Sequence, residues 1–131
     1  MPIIFLGLGS NLGDRRKNID DAVERLNLSG IKVLKVSSMI ETDPVGGPPQ
    51  GLFLNAAAKA ETDLSPREVL NVIHRIEVLL GRVRTVKDGP RTIDIDILLY
   101  DNITLNEPDL VIPHPRMNER DFVLRPLKEL F

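Results

Sequence analysis

Hydrophobic and polar positions alternate with two different periods along the chain, and each period predicts one kind of secondary structure. Ile93, Ile95 and Ile97 recur at every second position, which is the period of a pleated strand. The apolar residues of segments 15–28 and 65–80 instead recur every three or four positions, which predicts two amphipathic helices. The pattern therefore predicts a domain that mixes helices and strands.

The remaining apolar runs predict further strands at residues 3–6, 31–38 and 52–62, with a short one at 103–105. Read in order, the main elements alternate as strand, helix, strand, strand, helix, strand. This order matches an α+β fold of the ferredoxin-like type, a four-stranded antiparallel sheet with helices packed on one face and long ligand-binding loops. We expect a single domain over residues 1–131.

Composition narrows the class of protein. The net charge is −2 and the sequence pI about 5.7, which argues against the broad basic surface that nucleic-acid binding needs. The chain has no cysteine, so disulfides and thiolate metal sites are excluded. Its start does not match a signal peptide, and no apolar run approaches a membrane span. We therefore expect a cytoplasmic protein without nucleic-acid or membrane partners.

Two carboxylates fall between the alternating isoleucines. Asp94 and Asp96 should project from one face of the strand, with Cα atoms roughly 6.6 Å apart. Like charges so close repel each other, and Mg²⁺ is a cation that one or two carboxylates and substrate phosphates bind together. An ordinary solvated strand face is the alternative interpretation.

A cationic segment leads into this strand and favours the metal. Residues 82–92, here called the arginine loop, carry Arg82, Arg84, Lys87 and Arg91. Guanidinium groups beside a carboxylate pair suit a ligand whose phosphates share their charge between metal and arginines.

Three other segments admit two interpretations each. Residues 41–51 hold three prolines and three glycines, which suits a rigid spacer or a ligand lid. Phe53 and Asn55 share one strand face, which suits either a stacked heterocycle read by an amide or ordinary strand packing. Residues 7–13 are glycine-rich but miss the third glycine of a dinucleotide fingerprint, so they predict a tight turn.

The aspartate strand and the residues before it resemble the signature of a known family. Gly89-Pro90-Arg91, followed two residues later by Asp94-Ile95-Asp96-Ile97-Leu98, is similar to the motif of 6-hydroxymethyl-7,8-dihydropterin pyrophosphokinases. The resemblance extends from Phe5 to about Leu127. It implies a folate-pathway enzyme that transfers diphosphate from ATP to 6-hydroxymethyl-7,8-dihydropterin and releases AMP. It also implies two Mg²⁺ ions bound with ATP, and we expect a monomer.

The resemblance implies roles for individual residues. Asp94 and Asp96 would hold the metal, and the catalytic residues would be Arg82, Arg84 and Arg91. The residues implied to bind ATP are His74, Glu77, Arg84, Arg91, Ile97, His114 and Arg120. Those implied to bind the pterin are Thr42, Asp43, Phe53, Asn55, Asp94 and Phe122. We expect the arginine loop to close once both substrates are bound.

Three other classes of protein remain as alternatives. A two-metal nucleotidyltransferase or cyclase on a similar fold would release pyrophosphate instead of AMP. A non-catalytic ligand-binding domain would bind both ligands without turnover. An RNA-binding module is disfavoured, because only 4% of the residues are aromatic and the pI is low.

Overall fold

The computed structural model describes residues 1–82 and 89–131, and it contains three helices and two antiparallel sheets in these residues. The strands are β1 (Ile3–Ser10), β2 (Ile31–Val36), β3 (Ile40–Thr42), β4 (Phe53–Thr62), β5 (Asp94–Tyr100), β6 (Leu105–Glu107) and β7 (Leu110–Ile112). The helices are α1 (Arg15–Leu28), α2 (Pro66–Leu79) and α3 (Asp121–Lys128), the last preceded by a 3₁₀ turn at Met117–Glu119.

The main sheet has five strands, so the prediction of four is wrong by one short strand. Its order is β2-β4-β1-β5, and β3 pairs with β4 beyond the end of β2. Ser37 separates β2 from β3: its backbone N–H bonds to Ala57 O at 2.8 Å, and its hydroxyl accepts from Ala57 N at 2.8 Å. A side-chain oxygen thus replaces one backbone acceptor, which interrupts the strand without leaving a donor unpaired.

The helices pack on both faces of this sheet, which corrects the prediction that they share one face. Helices α1 and α2 cover the face formed by Ala56, Ala58 and Ala60 of β4. Helix α3 packs against β4 and β1 on the opposite face, in a hydrophobic cluster that includes Ala57 and Leu98. Because β4 is apolar on both faces, it supports a layer of helix on each side.

Local signals set the two longer helices where the pattern predicted them. Asp14 caps α1 by accepting from Lys17 N, and Ser65 forms a capping box with Glu68 at the start of α2. The observed β6 starts two residues later than the strand predicted at 103–105. Asp101, with a φ of 49°, turns the chain before it.

The predicted turn at residues 7–13 starts later than expected, because β1 continues to Ser10. Strand β5 alternates regularly from Asp94 to Ile97, so Ile95 and Ile97 face α1 and α2 whereas Asp94 and Asp96 line the cavity on the α3 side. A bulge follows: Leu6 pairs with Ile97 but Phe5 pairs with Leu99, so Leu98 is the extra residue. The bulge places both Leu98 and Leu99 on the α3 side and returns Tyr100 to the core under α1 and α2. Among the described residues, no helix is long and apolar enough to cross a membrane.

Candidate active site

A cavity of about 680 Å³, counting its open mouth, lies between the sheet and the start of α3. Strand β1 contributes its backbone at residues 7–9, which brings a ligand close to the sheet itself. All six predicted pterin residues line this cavity, together with three further charged ones: Thr42, Asp43, Phe53, Asn55, Asp94, Phe122, Arg91, Asp96 and Arg120.

One end of the cavity carries two aromatic rings and an amide. Phe53 and Asn55 project from β4, and Phe122 comes from the first turn of α3. Asn55 Nδ2 donates to Thr42 Oγ1 at 2.5 Å, which fixes the plane of the buried amide. A Cβ at Gly9 would lie 2.9 Å from Asn55 Oδ1, so only glycine leaves room for this amide. Gly9 is thus required by the close approach of this amide.

Each of the two rings contacts a guanidinium group. Arg91 lies 4.9 Å from the ring centre of Phe53, and Arg120 lies 5.4 Å from that of Phe122. Both distances are within the range of cation–π attraction. The arginines therefore lie between the aromatic end of the cavity and its acidic end.

The acidic end consists of the two predicted metal ligands in unequal surroundings. Asp94 Oδ1 accepts from Arg82 Nη1 at 3.0 Å, and Asp94 Oδ2 lies 3.5 Å from Arg91 Nε. No cationic side chain in the described part of the chain comes within 4 Å of Asp96. Burial, and next the charge of Asp94, raise the pKa of Asp96 to about 7.

This donor set fits Mg²⁺. Hard carboxylate oxygens are the ligands this ion prefers, and it keeps several positions for water and phosphate. In residues 1–82 and 89–131 no third acidic or histidine side chain completes a metal cluster. An ion at Asp94 and Asp96 would therefore take its remaining ligands from a substrate.

Glu77 lies outside the cavity, behind β5. Its carboxylate accepts from Ile95 N at 3.1 Å and from Arg82 Nη1 at 2.6 Å, and its side chain is 6% exposed. Burial raises its pKa, whereas Arg82 opposes that shift. Glu77 thus anchors Arg82 and the edge of β5, a function that its predicted contact with ATP did not include.

The other predicted nucleotide residues are dispersed. His74 is exposed on α2, and the Ile97 side chain is buried in the core, so a contact from Ile97 would use its backbone. His114 lies beside Arg120 and is half-buried, and burial lowers its pKa. Arg84 and most of the arginine loop, including its predicted closure, lie outside the described residues.

Sequence reasoning missed Asn11, which links three segments around the cavity. Its Nδ2 donates to Gln50 Oε1 at 2.8 Å and to Gly51 O at 3.1 Å, both in the Pro/Gly-rich loop. Its Oδ1 accepts from Arg91 N at 2.8 Å, and its own N–H bonds to Arg91 O at 3.1 Å. The position of this asparagine directly after a predicted buried strand is the sequence signal that could have identified it.

The α+β fold and a cavity that joins aromatic rings to carboxylates and arginines are typical of a protein that binds small, charged molecules. A model of the 7,8-dihydro-6-hydroxymethylpterin-pyrophosphokinase (HPPK) family matches residues 5–131. The chain belongs to this family.

Individual relatives agree with the family match. The 2-amino-4-hydroxy-6-hydroxymethyldihydropteridine pyrophosphokinase of Bacillus subtilis (strain 168) is 48% identical over 129 residues, which is 98% of this chain and 77% of that protein. The folic acid synthesis protein fol1 of Pneumocystis carinii is 46% identical over 127 residues. The match spans 97% of this chain but only 17% of the Pneumocystis protein.

Solved structures agree on the fold. A crystal structure of HPPK-DHPS in complex with substrates has a TM-score of 0.76 at 14% identity, covering 98% of this chain and 40% of that one. A Plasmodium falciparum HPPK-DHPS triple mutant with SDX-DHP has a TM-score of 0.70 at 18% identity, covering 97% of this chain and 40% of that one. At such identities the likeness is evidence for the fold alone.

Asn11→Ala tests the link between the segments. Removing the amide leaves Arg91 N and Gly51 O without this partner, so the free energy of unfolding should fall by about 1–3 kcal/mol. Urea denaturation measures the change. Asn71→Ala, on an exposed position of α2, is the control and should stay within about 0.5 kcal/mol of the parent. Equal values for both variants would contradict the role of Asn11.

Asp96→Asn tests the electrostatic strain at the acidic end. Because the folded pKa is raised to about 7, the folded chain holds a proton that the unfolded chain releases above about 4, so stability falls as the pH rises from about 4 to about 7 and levels off above that. In metal-free buffer the variant should match the parent near pH 4. It should be more stable by roughly 4 kcal/mol at pH 8, as calorimetry can show. A difference that does not change with pH would contradict the raised pKa.

Proposed function

We propose that this chain transfers the diphosphate of ATP to 6-hydroxymethyl-7,8-dihydropterin, giving AMP and the dihydropterin diphosphate in folate biosynthesis, with the cavity as its active site. Membership of the pyrophosphokinase family assigns the activity. The observation that supports this location is the joining, in one cavity, of two rings and an amide with two carboxylates and two arginines.

The aromatic end suits the pterin. A flat bicyclic ring can stack between Phe53 and Phe122, and the fixed amide of Asn55 can read its hydrogen-bonding edge. Thr42 orients that amide, and Asp43 at the mouth adds an acceptor for ring N–H groups. The hydroxymethyl group of a ring held here would point towards Asp94, at the acidic end.

The acidic end suits magnesium and phosphate. Asp94 and Asp96 would hold two Mg²⁺ ions bound with ATP, and such ions supply charge neutralisation and polarise phosphoryl oxygens. The support is chemical: two hard donors, one of them without a cationic partner in the part of the chain described. Substrate phosphates would complete the coordination.

The arginines would stabilise charge as it moves during transfer. Arg91 and Arg120 line the cavity, and Arg82 reaches Asp94 from the edge of β5. Guanidinium groups held at the cavity can bind phosphate oxygens through charge-assisted hydrogen bonds. Arg84, outside the described residues, belongs to the same proposal as a catalytic and nucleotide-binding group.

The nucleotide would extend from the acidic end towards α3. His114 beside Arg120 favours its neutral form, because burial lowers its pKa, so it suits hydrogen bonding to the nucleoside part. Glu77, Ile97 and His74 complete the proposed set of nucleotide-binding residues. Ile97 would contact the nucleotide through its backbone, and His74 through its exposed side chain on α2. The same proposal takes the chain to act as a monomer in the cytoplasm, where ATP is supplied.

Asp94→Ala and Asp96→Ala should each reduce turnover nearly to background while far-UV circular dichroism stays unchanged, because the metal loses half of its protein ligands. Chromatography of the nucleotide product, with dihydropterin present, measures AMP. Asp109→Ala is the matched control, since this carboxylate pairs with Arg67 away from the cavity. Parent-like rates in either variant would refute the metal assignment, and release of pyrophosphate would favour a nucleotidyltransferase.

Asn55→Ala should weaken pterin binding by roughly ten- to a hundredfold, because the amide's hydrogen bonds to the ring are lost. Calorimetry with the pterin measures the affinity, and the affinity for ATP should change little. Asn106→Ala, an exposed strand asparagine of β6, is the control. If the two variants bind pterin equally well, the pterin does not occupy the proposed end of the cavity.

A further inference from the structure

Asp94 is already engaged by arginines on both of its carboxylate oxygens. Arg82 Nη1 lies 3.0 Å from Oδ1, and Arg91 Nε lies 3.5 Å from Oδ2. The three side chains are 14–27% exposed, so solvent screens these contacts only in part. Each oxygen keeps a second lone-pair site, but a metal bound at either oxygen would lie close to a guanidinium group.

Arg82 is held from two sides. The same Nη1 that contacts Asp94 also donates to Glu77 Oε2 at 2.6 Å and lies 3.3 Å from Ile93 O. Glu77 itself is fixed by Ile95 N at 3.1 Å. If Arg82 left Asp94, its charge would keep a buried partner in Glu77, so the exchange needs no unpaired buried guanidinium.

A divalent ion bound at Asp94 and the guanidinium of Arg82 would repel each other. Mg²⁺ binds carboxylate oxygens at about 2.1 Å, which would bring its charge within a few ångströms of a guanidinium that bonds the same carboxylate. Two cations at such a separation repel strongly in a partly buried site. The attraction that holds Arg82 in the metal-free chain thus opposes entry of the metal.

We propose that Arg82 competes with the divalent metal for Asp94, and that it exchanges this carboxylate for substrate phosphate when the metal arrives with the nucleotide. This inference rests on the proposed function, because it takes Asp94 as a metal ligand. Asp96, which has no ion pair within the described residues, offers the metal a carboxylate for which no arginine competes.

The exchange makes the site selective for metal that comes with nucleotide. A bare ion must displace Arg82 without offering it a new partner, whereas a metal–nucleotide complex offers phosphate oxygens at the same moment. Removing Arg82 should therefore have two effects of opposite sign: tighter binding of bare metal and slower turnover. A merely structural role for Arg82 would weaken both.

The test uses the full chain without nucleotide and with Mn²⁺ as the probe, followed by electron paramagnetic resonance of the free ion. Arg82→Ala should bind Mn²⁺ about tenfold more tightly than the parent, since a charge-assisted contact that opposes binding is lost. Arg82→Gln removes the charge but keeps an amide for Glu77, so it should behave alike even if the alanine variant is poorly folded.

Arg120→Ala is the matched control. It removes the same charge from the cavity but leaves both arginine contacts of Asp94 intact, so its effect should be at least about threefold smaller. Equal tightening in Arg120→Ala and the Arg82 variants would overturn the inference in favour of general electrostatics. Unchanged or weaker binding in the Arg82 variants would also overturn it.

Asp94→Ala separates this inference from the proposed function. If it abolishes Mn²⁺ binding while the Arg82 variants bind no more tightly, only the competition is refuted. If Asp94→Ala binds Mn²⁺ like the parent, the metal assignment fails and the inference fails with it. If the Arg82 variants bind Mn²⁺ more tightly and adding Asp94→Ala to them removes this gain, the proposed function and the competition are both supported.

Discussion

The repulsion between Asp94 and Asp96 is the constraint on which the rest of the site depends. Two carboxylates on one face of a strand would destabilise it, and each is offset differently: Asp94 by arginines, Asp96 by a raised pKa that favours its protonated form. Glu77 adds a third acid behind the strand, so Arg82 is held between two of them. The arginines therefore have two roles: they stabilise the metal-free fold, and they lie where substrate phosphates would bind.

The sheet gives the two halves of the site their rigidity. Strand β4 buries Ala56, Ala58 and Ala60 under the helices α1 and α2, while Phe53 and Asn55 line the cavity on its other face. Because the two faces alternate along one strand, packing on the helix side fixes the aromatic residues on the ligand side. Strand β5 works in the same way, with isoleucines in the core and aspartates in the cavity. The binding residues thus lie on elements that the core already orders.

Local patterns predicted what local forces determine. The alternation of Ile93, Ile95 and Ile97 and the capping box at Ser65 were sufficient for a strand and a helix, and both are confirmed. The opposite-face packing of α3 was missed because it depends on a hydrophobic cluster that includes Ala57 and Leu98, which are far apart in sequence. Asn11 was missed for the same reason, since its partners lie 39 to 80 residues away. The motif resemblance named the site residues, but which of them meet in one cavity depends on these long-range contacts.

Charge balance offers an argument for two metal ions rather than one. In the described part of the site, the acids Asp43, Glu77, Asp94 and Asp96 lie near the cations Arg82, Arg91 and Arg120, so the metal-free site carries at most about one net negative charge. ATP alone would add a large negative charge beside two carboxylates. ATP with two divalent ions is nearly neutral and leaves the balance almost unchanged, whereas one ion would leave phosphates and carboxylates competing for the same arginines. A site that already pairs its acids and bases is therefore best matched to a substrate that brings its own compensating charge.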